Sequence, residues 1–283
     1  LPDKLLQKKF KIKIMSSNQK SAGGFSSLVS SIVIALTLVL GFIVYKYIFG
    51  DAKNFVEGDN TGEPLEGNMM AIIYKGGIIV PFLLATNFIV IIFAIERFVS
   101  LAKAKGKGNI NNFVVKIKDL LGNNELAVAK EECDVQRGSL ANVVLAGLTK
   151  YENIKNENDL SKEQKIESLK AELEEATALE LPMLSKNLVI LSTCASIATL
   201  IGLIGTVLGM IKSFAAMAGG TPDTAQLATG ISEALINTAL GIFASTIAII
   251  FFNLFSTKVD QLTHSMDEAS FTIVQDFTAS TAK

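Results

Sequence analysis

Residues 188–214 read LVILSTCASIATLIGLIGTVLGMIKSF and residues 231–255 read ISEALINTALGIFASTIAIIFFNLF. Each run exceeds the roughly 20 apolar residues a helix needs to cross a bilayer. Leu188 to Phe214 and Ile231 to Phe255 therefore read as membrane spans. Gly219-Gly220-Thr221-Pro222-Asp223 reads as a turn that reverses the chain, so the two spans are expected to be antiparallel neighbours. On the first, Ser192, Ser196, Thr199, Thr206 and Ser213 recur at four, three, seven and seven residues, which is one stripe of a helix. On the second, Thr238 and Ser245 share a face with Ala234, Gly241 and Ile249. A single hydroxyl in lipid commonly bonds only its own backbone, whereas an aligned row is what a polar path requires. Thr206 precedes Phe214 by eight residues and Thr238 follows Ile231 by seven. At 1.5 Å per residue both lie roughly 11 Å from the turn side, at one depth.

Glu233 is the only carboxylate within a span interior, and a charge near the bilayer centre costs about 3 kcal/mol on the mild insertion scale. Two residues past Ile231, it also fits a solvated position near a membrane surface. On a regular helix it points about 140° away from Thr238, so the two share one narrow pore only through a local distortion or another subunit. Threonine hydroxyls hydrogen-bond or order water but do not ionise at ordinary pH. The chain's own site is thus expected to be incomplete, needing a partner with an intramembrane acid. Gly205 and Gly209 form a G-x-x-x-G pair with Gly202 nearby, and Gly241, Ala244 and Ala248 offer small residues on the second span. Such positions let backbones approach in lipid and, with the hydroxyls and the carboxylate, favour an oligomeric ring.

Gly202-Leu203-Ile204-Gly205-Thr206-Val207-Leu208-Gly209-Met210-Ile211, followed by Phe214, resembles one signature of the ExbB/TolQ/MotA proton-channel family. Gly230-Ile231-Ser232-Glu233-Ala234-Leu235-Ile236-Asn237-Thr238-Ala239, followed by Gly241, resembles its paired signature. Gly76-Gly77, Pro81 and Ile95-Glu96-Arg97 also resemble the first span of the ExbB branch, to which the likeness is closest. The resemblance implies a proton-driven motor of the bacterial inner membrane rather than an enzyme. In that family, five copies form a ring around the membrane helices of a smaller ExbD-type partner, whose single membrane aspartate takes up and releases the proton. It further implies a TonB-type protein spanning the periplasm, which energises outer-membrane uptake. By motif position Thr206, Thr238 and Glu233 match the family's pore threonines and its glutamate. Ser192, Ser196, Thr199 and Ser245 are further candidates for facing the pore. Thr199 is a departure, since the family usually carries a proline in this helix, and its loss would straighten the helix locally. The runner-up is a TolQ-like or MotA-like motor for envelope maintenance or motility. A reading from a different class is a structural membrane scaffold whose small and polar residues serve only packing.

Composition agrees with an all-α polytopic membrane protein. Of 283 residues 49% are hydrophobic and the mean hydropathy is +0.42, with the apolar residues gathered in four runs. A net charge of −1 gives no electrostatic case for nucleic acid. Cys133, in a polar region, and Cys194, inside a span, are not expected to pair, and neither has metal-ligand company. His264 is the single histidine and has no visible partner in the sequence. No nucleophile–base pair, phosphate-binding glycine loop or metal cluster is visible, so no catalytic role, metal or cofactor is expected.

Taken in order, residues 1–27 form a basic tail with Lys4, Lys8, Lys9, Lys11, Lys13 and Lys20. Leu28 to Phe49 is longer than the apolar core of a cleaved signal and reads as a permanent extra span. Residues 50–75 form an acidic outer loop. The second span, 76–97, has Pro81 near its start, where a missing donor costs least. Its interior Asn87 is expected to bond a neighbouring helix.

Residues 98–187 form a helical cytoplasmic region with helices at Asn109–Leu121, Glu125–Asp134 and Ser139–Tyr151, then a polar loop, Asn153–Asp159. Ser161 and Gln164 offer a cap for a helix whose Ile166, Leu169, Leu173 and Ala176 form a packing seam, which Pro182 must kink or end. Glu172, Glu174, Glu175 and Glu180 read as a solvated face. Residues 188–255 hold the third and fourth spans. Residues 256–283 extend the fourth helix into the cytoplasm, with Phe271, Val274 and Phe277 recurring at three. With four spans the amino-terminal lysines, Arg97, Lys103, Lys105, Lys107, Lys186 and Lys258 fall on one side, which the positive-inside rule makes cytoplasmic, together with both termini. Lys46, Lys75 and Lys212 oppose the rule, but each sits at a span end from which its amine reaches water.

Overall fold

The computed structural model describes residues 27–155, 157, 159–217 and 223–280. The basic segment 1–26 and residues 219–222 of the expected turn lie outside the described residues. Among the described residues nine α-helices follow in order: α1 Ser27–Ile43, α2 Met69–Tyr74, α3 Val80–Lys105, α4 Ile110–Gly122, α5 Leu126–Gln136, α6 Gly138–Lys155, α7 Lys162–Ser185, α8 Leu188–Met217 and α9 Thr224–Ser280. Four helical stretches of the described residues are long and apolar enough to cross a membrane. Among the described residues the only β-type pairing is one isolated bridge, Phe55 to Pro64. The chain divides into two compact units, Phe25–Ile95 with Asn187–Asn253, and Glu96–Lys186 with Leu254–Lys283.

In the first unit many large apolar side chains are exposed: Leu28, Ile32, Leu36, Leu200, Leu203, Val207, Leu235 and Phe243 all face outward. That distribution suits a lipid environment, where burial of apolar surface from water is not what holds helices together. Close backbone approach holds them instead. Helix α1, which continues as a π-helical turn at Val44–Phe49, lies against the start of α3. A β-carbon on Gly41 would stand 2.5 Å from the Pro81 carbonyl oxygen, and the Phe42 and Phe82 rings meet edge-on at 5.4 Å. Tyr45 stacks on Tyr74 at 4.6 Å and donates to its carbonyl oxygen at 3.2 Å.

The outer segment 50–75 is not purely irregular. Asn68 caps α2 by accepting from the Met70 and Ala71 amides, an Asx cap that the apolar run after it makes productive. Buried Asn54 donates to the Ile48 and Phe49 carbonyls. Lys75, expected to reach for water, donates to the Asn60 and Thr61 carbonyls at 3.1 and 2.9 Å and so ties the loop down. Asn87, expected to bond a neighbouring helix, donates to Leu83 of its own helix at 2.9 Å; the carbonyl one turn back is always within reach.

The second unit is a helical bundle with an ordinary apolar core. Leu140, Val143, Val144, Leu148, Tyr151 and Ile154 of α6 are buried, as are Leu169 and Leu173 of α7 and Leu262, Met266, Ile273 and Phe277 of α9. Each such large side chain contributes about 1.5–3 kcal/mol by leaving water. At Gly147 the three helices meet: a β-carbon there would run into Leu173 and lie 3.4 Å from Ile273. Ser161 and Gln164 form a reciprocal capping box at the start of α7. Helix α7 continues through Pro182 to Ser185, and the break falls at Asn187, which adopts φ 60°.

Of Phe271, Val274 and Phe277, only Phe277 is buried; Phe271 is 69% exposed, and the buried row is Val259, Leu262, Met266, Ala269, Ile273 and Phe277, spaced by threes and fours as a helix stripe is. Phe277 packs edge-on to Tyr151 at 4.8 Å, and the Tyr151 hydroxyl donates to Asp276 at 3.1 Å. Burial pushes the Cys133 thiol up to about 12, so it is an inert core group. Arg97, which closes the second span in the sequence, is wholly buried. Its Nε and Nη2 donate to the Glu96 carboxylate at 2.7 and 2.6 Å, and its Nη1 donates to the Leu184 carbonyl at 3.4 Å.

Candidate functional site

Helices α8 and α9 approach so closely that glycine is required along the seam. A β-carbon on Gly202 would stand 2.9 Å from the Asn237 carbonyl oxygen, one on Gly209 2.6 Å from that of Gly230, and one on Gly241 2.7 Å from that of Ala198. These obstacles are backbone atoms, which cannot swing aside. Gly209→Val is therefore expected to lower the thermal stability of the purified protein by about 1–3 kcal/mol. A melting curve unchanged from wild type would show that the two helices do not meet there.

At the centre of this seam the Thr206 and Thr238 hydroxyls are hydrogen-bonded to each other, and both side chains are half-buried. Thr206 Oγ1 also lies 3.2 Å from the Gly202 carbonyl and 3.4 Å from that of Ala234. Each hydroxyl has one proton and two lone pairs, so when Thr238 donates to Thr206, Thr206 is free to donate to either carbonyl. The pair is a switchable polar link that carries no charge. The structure thus brings together the two threonines that the sequence put at one depth.

The other hydroxyls of the row have different surroundings. Ser245 is 7% exposed and donates to the Ala195 carbonyl at 2.5 Å, and wholly buried Ser213 donates to Leu227 at 3.1 Å, so both serve the α8–α9 contact. Ser192 donates to Val189 of its own helix, while Ser196 and Thr199 are exposed. Helix α9 starts earlier than expected, at Thr224, because Asp223 accepts from the Ala225 and Gln226 amides at 3.0 Å.

Glu233 is not joined to the threonines. Its Oε2 pairs with Lys212 Nζ at 2.9 Å, and its carboxylate sits over Gly77, where any β-carbon would collide with Oε1. Gly77 has φ +76°, a conformation that suits glycine alone. One turn along α9, wholly buried Asn237 donates to the Gly76 carbonyl at 2.8 Å and packs on Gly205. Its Oδ1 has no donor among the described residues. Glu233 and Asn237 together grip the Gly76–Gly77 elbow that opens the second span.

Sequence reasoning passed over Asn237, although an amide between Glu233 and Thr238 in an apolar span was signal enough. Lys212, expected to reach water, is 58% exposed, and its amine also pairs with the Glu233 carboxylate. Among the described residues no group of three metal-ligating side chains occurs.

Residues 136–268 match the sequence model of the MotA/TolQ/ExbB proton channel family. The biopolymer transport protein ExbB-like 3 of Synechocystis is 37% identical over 86 residues, 29% of this chain and 41% of that protein. The Tol-Pal system protein TolQ of Haemophilus influenzae is 33% identical over 121 residues, 42% of this chain and 53% of that protein. The biopolymer transport protein ExbB of Pseudomonas putida is 34% identical over 114 residues, 40% of this chain and 35% of that protein. The chain thus spans about half or less of the length of these relatives.

Proposed function

We propose, for a chain whose residues 136–268 match the model of the MotA/TolQ/ExbB proton channel family, that it is a ring-forming subunit of a proton-driven motor in the bacterial inner membrane. The observation that supports this most is the Thr206–Thr238 hydroxyl pair, set at one depth in a glycine-lined seam between two spans. Several copies enclose the membrane helices of an ExbD-type partner, whose intramembrane aspartate carries the proton. Thr206 and Thr238 line its path, and Glu233 tunes the exchange. Both termini are cytoplasmic. The output is mechanical work on a TonB-type protein that reaches across the periplasm and energises outer-membrane transport.

Proton uptake by liposomes under an imposed pH gradient tests this reading. Flux is expected only when this chain and the partner are reconstituted together, and it is expected to vanish when the partner's aspartate is replaced by asparagine. Flux from this chain alone would contradict it. A TolQ-like role in envelope maintenance is the second reading, favoured by the similarity to a Tol-Pal system protein. Deleting the gene separates the two: loss of receptor-dependent uptake supports the first output, and a leaky outer membrane supports the second.

A further inference from the structure

Lys212 lies near the end of α8, one residue from buried Ser213, which bonds Leu227. Its ammonium reaches across to Glu233, nine residues into α9. The two side chains are unequally placed, with Lys212 58% exposed and Glu233 13%. The exposed lysine has other places to go, and the enclosed carboxylate has few. A half-buried carboxylate in a span is costly without a counter-charge. Gly77 leaves the space in which that carboxylate sits, and its φ of +76° keeps the space open.

We propose that Lys212 is a positioning residue for proton transfer, holding the Glu233 carboxylate on the Gly76–Gly77 elbow and cancelling its charge within the same subunit. In a ring of such subunits the mouth of the pore is then neutral rather than lined with negative charge, and the partner's acid approaches without repulsion. This rests on the reading of the chain as a proton-channel subunit.

Two measurements decide it. The first needs neither partner nor flux: labelling of Glu233 in the detergent-purified chain by a hydrophobic carbodiimide, followed by mass spectrometry. Wild type and Lys212→Arg are expected to label slowly, and Lys212→Met about tenfold faster, since a carboxylate freed from an ammonium loses roughly 1.4 kcal/mol or more of protection. Equal labelling in all three would overturn the pairing. The second is proton flux with the partner present. Lys212→Arg is expected to retain flux, Lys212→Met to lose it by about tenfold, and Lys212→Met with Glu233→Gln to be no worse than Glu233→Gln alone, because coupled residues are not additive. Wild-type flux in Lys212→Met, or a loss that adds to that of Glu233→Gln, would overturn the positioning role. Absence of wild-type flux would count against the channel reading, while the labelling would still decide the pairing.

Discussion

Arg97→Ala is expected to destabilise the protein by about 3–5 kcal/mol, as measured by thermal or denaturant unfolding of the purified chain. Arg97 is wholly buried, and its bidentate bond with Glu96 consumes two of its donors while a third meets the Leu184 carbonyl at the end of α7. The Glu96 carboxylate also accepts from the Ser100 hydroxyl at 2.9 Å and is itself only 9% exposed. Removing the guanidinium takes away the carboxylate's bidentate counter-charge in a buried setting, which is the expensive part of breaking a buried pair. Arg97→Lys keeps the charge but cannot fork, so it is expected to recover only part of the loss. Arg97→Met with Glu96→Gln is expected to recover much of it, because no lone charge remains. A loss below about 0.5 kcal/mol in Arg97→Ala would mean that the pair is solvated in the protein.

The second large effect concerns function with the fold intact. Thr206→Val and Thr238→Val preserve shape, so assembly and melting temperature are expected to change little. Each removes one hydroxyl of the link, and in Thr238→Val the Thr206 hydroxyl still reaches the Gly202 carbonyl. Loss of one hydrogen-bonding group from the proton path is expected to lower flux at least about fivefold, which is roughly 1 kcal/mol in barrier. The double variant is expected to fall little further, since the two residues act as one link. The scaffold reading, in which these residues only pack, expects both valines to be tolerated in full.

Much of this was legible in the sequence because the relevant signals are local. Caps and breaks fixed the helices of the second unit: Asn109 accepts from the Asn111 and Asn112 amides ahead of α4, and Asn124 takes φ 64° between α4 and α5. The common depth of Thr206 and Thr238 followed from spacing; the hydrogen bond between them did not. What escaped was decided by neighbours distant in sequence. In a span that is apolar on every side, period does not say which face meets protein, so Asn237, Lys212 and Ser245 had no visible partners. On α9 the spacing of Phe271, Val274 and Phe277 competed with the true stripe through Ile273 and Phe277, and only the packing of α6 and α7 selects between them. Glu96-Arg97 looked like a charged end to a span because adjacent opposite charges commonly sit in water. Here they are buried.

The most direct test of the central claim is proton flux into liposomes that hold this chain and its aspartate-bearing partner, for wild type and Thr238→Val, with assembly checked in each. The account predicts flux in wild type and a loss of at least about fivefold in the variant. Equal flux from the two, with both complexes assembled, would contradict it.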